Sequence, residues 1–161
     1  HSDARAEQFL TGLGANDPQI RAGNAAIVSD VNSGKIPAGL VNHYYVYELA
    51  DEKGVSPDTL KARLHFFPNG DTGALVNTAG VGVLKGAADD PDVRVFVDYL
   101  LGTEAQTYFA DKTFEYPLVS GVAAAPGLPA LASLAAPKID LNDLDTLAAT
   151  VAMIKKSGLV T

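Results

Sequence analysis

The chain predicts an α/β fold, and three observations carry that expectation. Segments with helical periodicity alternate with short apolar runs. Two successive helical segments each open on an asparagine and stop at a glycine, Asn24 to Gly34 and Asn42 to Gly54. Between them lies a short apolar run, residues 37–41, of strand length.

Taken in order, residues 3–13 follow Ser2 and stop at Gly14, which reads as a helix. Asn24 precedes the run 25–31, which ends at Asn32-Ser33-Gly34. It reads as an N-cap, because a short polar side chain accepts from the free N–H groups of a first turn. The strand candidate 37–41 leads into a second unit in which Asn42 caps residues 43–53 and Gly54 ends them. Residues 64–67 form another strand candidate, and 74–77 with 80–84 form two more around a short polar turn. Asp90-Pro91 opens the next helix, with proline in its first turn, and Gly102 closes it. Thr103 and Gln106 have the spacing of a capping box. Residues 121–137, rich in alanine and proline, read as a wrapping connection. Leu144, Leu147, Val151 and Ile154 share one face of a last helix that ends near Gly158, a face suited to docking on a sheet.

With 161 residues, 47 % of them hydrophobic and 19 % charged, the composition is that of a globular domain. The net charge of −7 argues against nucleic acid as a partner, since a basic stripe is expected there. No run of about 18 apolar residues occurs, so no helix is long enough to span a bilayer. The absence of cysteine excludes disulfides and thiolate metal sites. No Gly-x-Ser-x-Gly elbow, phosphate-binding loop or His-Glu-x-x-His motif is present, which leaves an enzyme reading without a catalytic constellation.

The most informative residues are the adjacent Tyr44 and Tyr45, at the start of the second helix. A phenol becomes a hard anionic oxygen ligand on losing its proton, and hard cations prefer such donors. Metal binding drives that deprotonation. The alternative is packing, since a tyrosine has an apolar body that sits well at a core edge. Neighbouring helix positions differ by about 100°, so the two rings can converge only beyond the helix N-terminus. Asn24 and Asn42 begin two helices whose free N–H groups and dipoles suit an anion, with ordinary capping as the alternative for each. His43, His65 and Tyr47 read as structural, and Glu48, Asp51, Glu52 and Asp58 as solvated acidic positions.

The segments Asn24-Ala25-Ala26-Ile27-Val28, Gly39-Leu40-Val41-Asn42-His43-Tyr44-Tyr45 and Asp71-Thr72-Gly73-Ala74-Leu75-Val76 carry a family resemblance. It continues through Gly82-Val83-Leu84-Lys85, Phe96-Val97-Asp98-Tyr99-Leu100-Leu101, Glu115-Tyr116-Pro117-Leu118 and Lys155-Lys156-Ser157-Gly158. In order and spacing the chain resembles the C-terminal half of bacterial ferric-ion-binding proteins, the extracytoplasmic substrate-binding components of iron ABC transporters. The double tyrosine after Val-Asn is the most specific part of that match.

The resemblance implies a two-lobed fold of the periplasmic-binding-protein type II kind, carried here as a fragment. Residues 1–74 and 126–161 would belong to the C-terminal lobe and 75–125 would return to the N-terminal lobe, with hinges near residues 71–73 and Gly121. It implies that Tyr44 and Tyr45 are phenolate ligands to Fe(III), and that Asn24 and Asn42 hold a synergistic anion, phosphate or carbonate. The remaining donors would come from the N-terminal half. The implied partner is a membrane permease, and the implied location periplasmic or extracellular, with a lipid-anchored surface form as one variant. Strands 74–77 and 80–84 would lack their neighbours, so self-association or strand exchange is expected. A rival reading keeps the fold but takes an oxyanion or small organic anion as cargo. A sensor module or enzyme on the same scaffold is a more distant one.

Overall fold

Helix-forming runs bounded by glycine and proline dominate the local structure. A computed structural model describes residues 3–68, 70–134, 137, 140 and 147–159. Its α-helices among these residues are α1 (Asp3–Gly14), α2 (Asn24–Ser33), α3 (Tyr44–Glu52), α4 (Pro91–Leu100), α5 (Thr103–Tyr108) and α6 (Leu147–Lys156). The chain divides into one unit of residues 1–22 and 138–161 and another of residues 23–137.

In the first unit α1 lies against α6. Lys156 Nζ meets Glu7 Oε1 at 2.9 Å. Both side chains are exposed, so the pair contributes about 0–1 kcal/mol. Glycine is required at position 14, because a Cβ there would lie 2.8 Å from the Ser157 carbonyl oxygen. Neither helix buries a residue. The expected docking of the Leu147, Val151 and Ile154 face onto a sheet is not found, since the neighbour of α6 is a helix and Leu147 and Val151 are exposed. Leu144 lies outside the described residues.

The second unit is built on α2 and α3. Val28 from α2 packs with Val46 and Ala50 from α3 and with Leu60 and Ala62, and Val31, Val41, Tyr45, Leu49 and Leu64 flank them. The spacing of Val28 and Val31, and of Val46, Leu49 and Ala50, puts each set on one helix face. Both helices end as their glycines require. Gly34 takes φ +81°, and Lys35 N–H donates to the Asp30 carbonyl at 2.9 Å. Gly54 takes φ +63°, and Val55 N–H donates to the Ala50 carbonyl at 3.0 Å. These are Schellman closures, in which a left-handed glycine lets the chain reverse and satisfy the last carbonyls.

Residues 37–41, 64–67, 74–77 and 80–84 form no β-ladder among the described residues. The expected strands are therefore not seen. A strand is a pairing, and among the described residues none of these runs has a second segment paired with it. Part of the backbone demand near residues 61–62 is met by a side chain, since Asn32 Oδ1 accepts from the N–H groups of Lys61 and Ala62 at 2.8 and 3.3 Å.

α4 starts as expected, with Asp90 accepting from the Asp92 N–H at 2.9 Å and Pro91 in the first turn. The Thr103–Gln106 capping box does not form. Gly102 occupies the cap with extended backbone, and Gln106 turns inward to 5 % exposure. Its Nε2 donates to the Leu100 carbonyl at 2.9 Å and its Oε1 accepts from the Leu118 N–H at 2.7 Å. The buried amide has more to satisfy by bridging two backbone segments than by reaching an exposed helix end. After α5 the helix widens into a π-turn over Phe109–Thr113, and Phe114 follows in the left-handed region at φ 57°.

A candidate tyrosine and asparagine site

The site begins where the chain leaves α2 and enters α3. His43 already has helical backbone, with φ −59° and ψ −37°, so Asn42 stands one residue outside the first turn. Neither asparagine caps its own helix as expected. Gly23 precedes α2 and His43 precedes α3, each without a side-chain cap. The two asparagines are joined to each other instead. Asn24 Oδ1 accepts from the Asn42 backbone N–H at 3.0 Å, and Asn42 Nδ2 donates to the Tyr44 hydroxyl oxygen at 3.0 Å. The link across the loop satisfies a backbone donor that α3 does not use, which is why it displaces local capping.

The Tyr44 and Tyr45 rings lie side by side, with centroids 4.6 Å apart and planes tilted by 39°. Tyr45 also packs against the α2–α3 core. A hydrogen bond with Tyr44 holds the Tyr45 phenol above its usual range. The Tyr44 charge, burial and Glu48 add to that shift.

Asn42, His43 and Tyr44 line a cleft of about 530 Å³, together with His65, Glu115 and Tyr116. Tyr45 and Asn24 are not among the lining residues. His43, expected to be structural, also makes a long-range contact. Its Nε2 lies 2.8 Å from the Phe114 carbonyl oxygen, and that pairing makes Nε2 the donor. The ring meets Tyr116 at 5.1 Å and Tyr44 in a T-shaped arrangement at 5.6 Å. Burial lowers the His43 pKa below the usual imidazole value, with the Phe114 carbonyl and Glu115 opposing the shift. Burial likewise pushes the Tyr116 phenol up to about 12, helped by Tyr47, and its hydroxyl donates to the Pro129 carbonyl at 2.8 Å.

Sequence reasoning missed the meeting of His43 with Phe114. The two are 71 positions apart, and no periodicity reports such a contact. Among the described residues no group of three or more His, Asp or Glu side chains is placed to hold a metal ion. The Asn42 amide lies beside the paired phenol rings, and Glu115 lines the same cleft.

By fold the chain is of the type II periplasmic-binding-protein class. It matches the crystal structure of iron-bound HitA from Pseudomonas aeruginosa with a TM-score of 0.84 and 35 % sequence identity, over 95 % of this chain and 48 % of that one. The α/β expectation is borne out by that match, although no ladder forms among the described residues. The model of the bacterial extracellular solute-binding proteins matches residues 2–107, and the chain belongs to that family. It is also 31 % identical to the major ferric iron-binding protein of Neisseria meningitidis, over 98 % of this chain and 46 % of that protein. To the Fe(3+)-binding periplasmic protein of Serratia marcescens it is 30 % identical, over 86 % of this chain and 40 % of the relative. Iron uptake protein A2 of Synechocystis is 32 % identical over 89 % of this chain and 43 % of its own length. The chain thus spans somewhat under half the length of these relatives.

Proposed function

We propose that the chain is the tyrosine-bearing part of the substrate-binding component of an ABC transporter, one that captures ferric iron with a synergistic anion and delivers it to a membrane permease. The observation that carries this reading is the pair of phenol rings, centroids 4.6 Å apart, at the head of α3, with the Asn42 amide on the Tyr44 oxygen. Relatives named for ferric iron support it.

Tyr44 and Tyr45 are the protein's iron ligands in this reading. The Tyr45 phenol lies above its ordinary pKa, so the metal itself must displace the proton, and coordination supplies that driving force. Asn24 and Asn42 hold phosphate or carbonate against the metal through their amides. The remaining donors come from other parts of the whole protein. Residues 1–74 and 126–161 form one lobe and 75–125 cross to the other, with bends near residues 71–73 and at Gly121, whose φ of +87° suits a sharp change of direction. Closure of the lobes over iron follows from the metal's greater affinity for the closed state. The function is capture without catalysis, and the location is periplasmic. Among the described residues no helix is long and apolar enough to cross a membrane.

The test is a titration of the whole protein with a weak ferric chelate plus phosphate or carbonate, read by visible spectroscopy beside the Tyr44→Phe, Tyr45→Phe double variant. A saturable tyrosinate-to-iron band that the variant lacks supports the reading. Phosphate uptake with no band leaves an oxyanion carrier in its place.

A further inference from the structure

We propose that Asn42, held by Asn24, is a positioning residue for Tyr44 that sets its phenol oxygen in place before any anion or metal arrives. This deepens the ferric-iron reading and rests on it for its purpose, while its test can be made without iron.

Donor and acceptor roles fix the direction of the chain of contacts. A backbone N–H only donates, so the Asn24 atom facing Asn42 at 3.0 Å is its carbonyl oxygen. That bond ties the loop two residues before α3 to the first residue of α2, the helix on which α3 packs through Val28 and Val46. The Asn42 carboxamide then reaches forward and donates to Tyr44 Oη at 3.0 Å. An NH2 group suits a phenol oxygen in either protonation state, whereas an amide carbonyl would suit the protonated state alone. The polarity seen is the one compatible with a metal-bound phenolate. The Tyr45 ring at 4.6 Å and the His43 ring at 5.6 Å pack against the Tyr44 ring. Among the described residues the second Asn42 amide hydrogen and the Asn24 NH2 are not used in these bonds, so the anion role and the positioning role are compatible.

The test uses this chain with ring-13C tyrosine, free of metal and phosphate, with Tyr44 and Tyr45 signals assigned from their Phe variants. Asn42→Ala and Asn24→Ala should each shift the Tyr44 ring signals, with those of Tyr45 following. Tyr47, assigned in the same way and lying on α3 outside the Asn24–Asn42–Tyr44 contacts, should stay put. Unchanged Tyr44 signals in both variants overturn the proposal. An equal shift at Tyr47 also overturns it, because it marks general repacking of α3. A parallel titration of the whole wild-type protein with ferric nitrilotriacetate, read by its visible band, tests the ferric reading separately. Should the wild type show no band, the ferric reading falls and the ring signals still decide the positioning role.

Discussion

Gly39 lies three residues before Asn42, and replacing it with alanine is a direct test of how the α2–α3 loop is held. A Cβ built there collides with Ile27 Cγ2, while Ile27 Cβ at 3.7 Å and Val31 Cγ2 at 3.9 Å remain in ordinary contact. The collision is thus with one methyl of α2. In a helix isoleucine keeps one χ1 rotamer about 90 % of the time, so that methyl cannot swing aside freely. Either Ile27 leaves its rotamer or the loop moves outward, and overpacking of this kind costs about 1–3 kcal/mol. All six tyrosines lie within residues 23–137 and tryptophan is absent, so tyrosine fluorescence reports on that unit alone. At a urea slope of about 2 kcal/mol/M, Gly39→Ala should lower the midpoint by about 0.5–1.5 M. In an Ile27→Ala background the same change should cost almost nothing, since the obstructing methyl is gone. A neutral Gly39→Ala, or an equal loss in both backgrounds, would refute the steric account.

Three further expectations can be checked on the same protein. His43 has a depressed pKa in the folded state, so the unfolded chain binds more protons between the folded value and 6.5. The resulting stabilisation is complete above pH 6.5 and is lost as pH falls through the folded pKa, with Glu115 beside the ring moderating the loss. Glu48 is shifted upward, which has the opposite sign and acts just above its ordinary value of 4.5. Urea midpoints should therefore fall from pH 7 toward 5.5, and His43→Gln should flatten that slope; an unchanged slope would count against the assignment. Gln106→Ala removes both bridging bonds and leaves buried backbone groups short of partners, at a cost of about 2–3 kcal/mol by urea unfolding. A loss below about 0.5 kcal/mol, the usual range of surface changes, would show the bridge to be dispensable. Finally, residues 75–84 carry exposed Leu75, Val81, Val83 and Leu84, the last at 82 % exposure, on backbone with no ladder partner among the described residues. Mass by light scattering should rise with concentration, and a monomer at high concentration would dismiss strand exchange.

Some of this was legible in the residue order. Glycine at positions 34 and 54 marked true helix ends, because a left-handed turn is a local demand that glycine meets at no steric cost. Asp90-Pro91 marked a true helix start for an equally local reason. The capping roles given to Asn24, Asn42 and Thr103 were not realised. Each of those residues could satisfy a nearby N–H, and only the approach of α2 to the loop before α3 set Asn24 on the Asn42 backbone instead.

The sequence by itself determined the positions of α2, α3 and α4, the adjacency of Tyr44 and Tyr45 at a helix start, and the absence of thiolate chemistry. These are short-range properties of period, composition and turn preference. Tertiary structure alone decided that Asn42 donates to Tyr44, that His43 is taken up by Phe114, and that Gln106 bridges two backbone segments. It also decided that the strand-like runs remain unpaired among the described residues. Pairing and side-chain satisfaction depend on which groups arrive within about 3 Å of one another. That is settled by packing of α2 on α3 and by the path of the intervening chain, neither of which a residue pattern encodes locally.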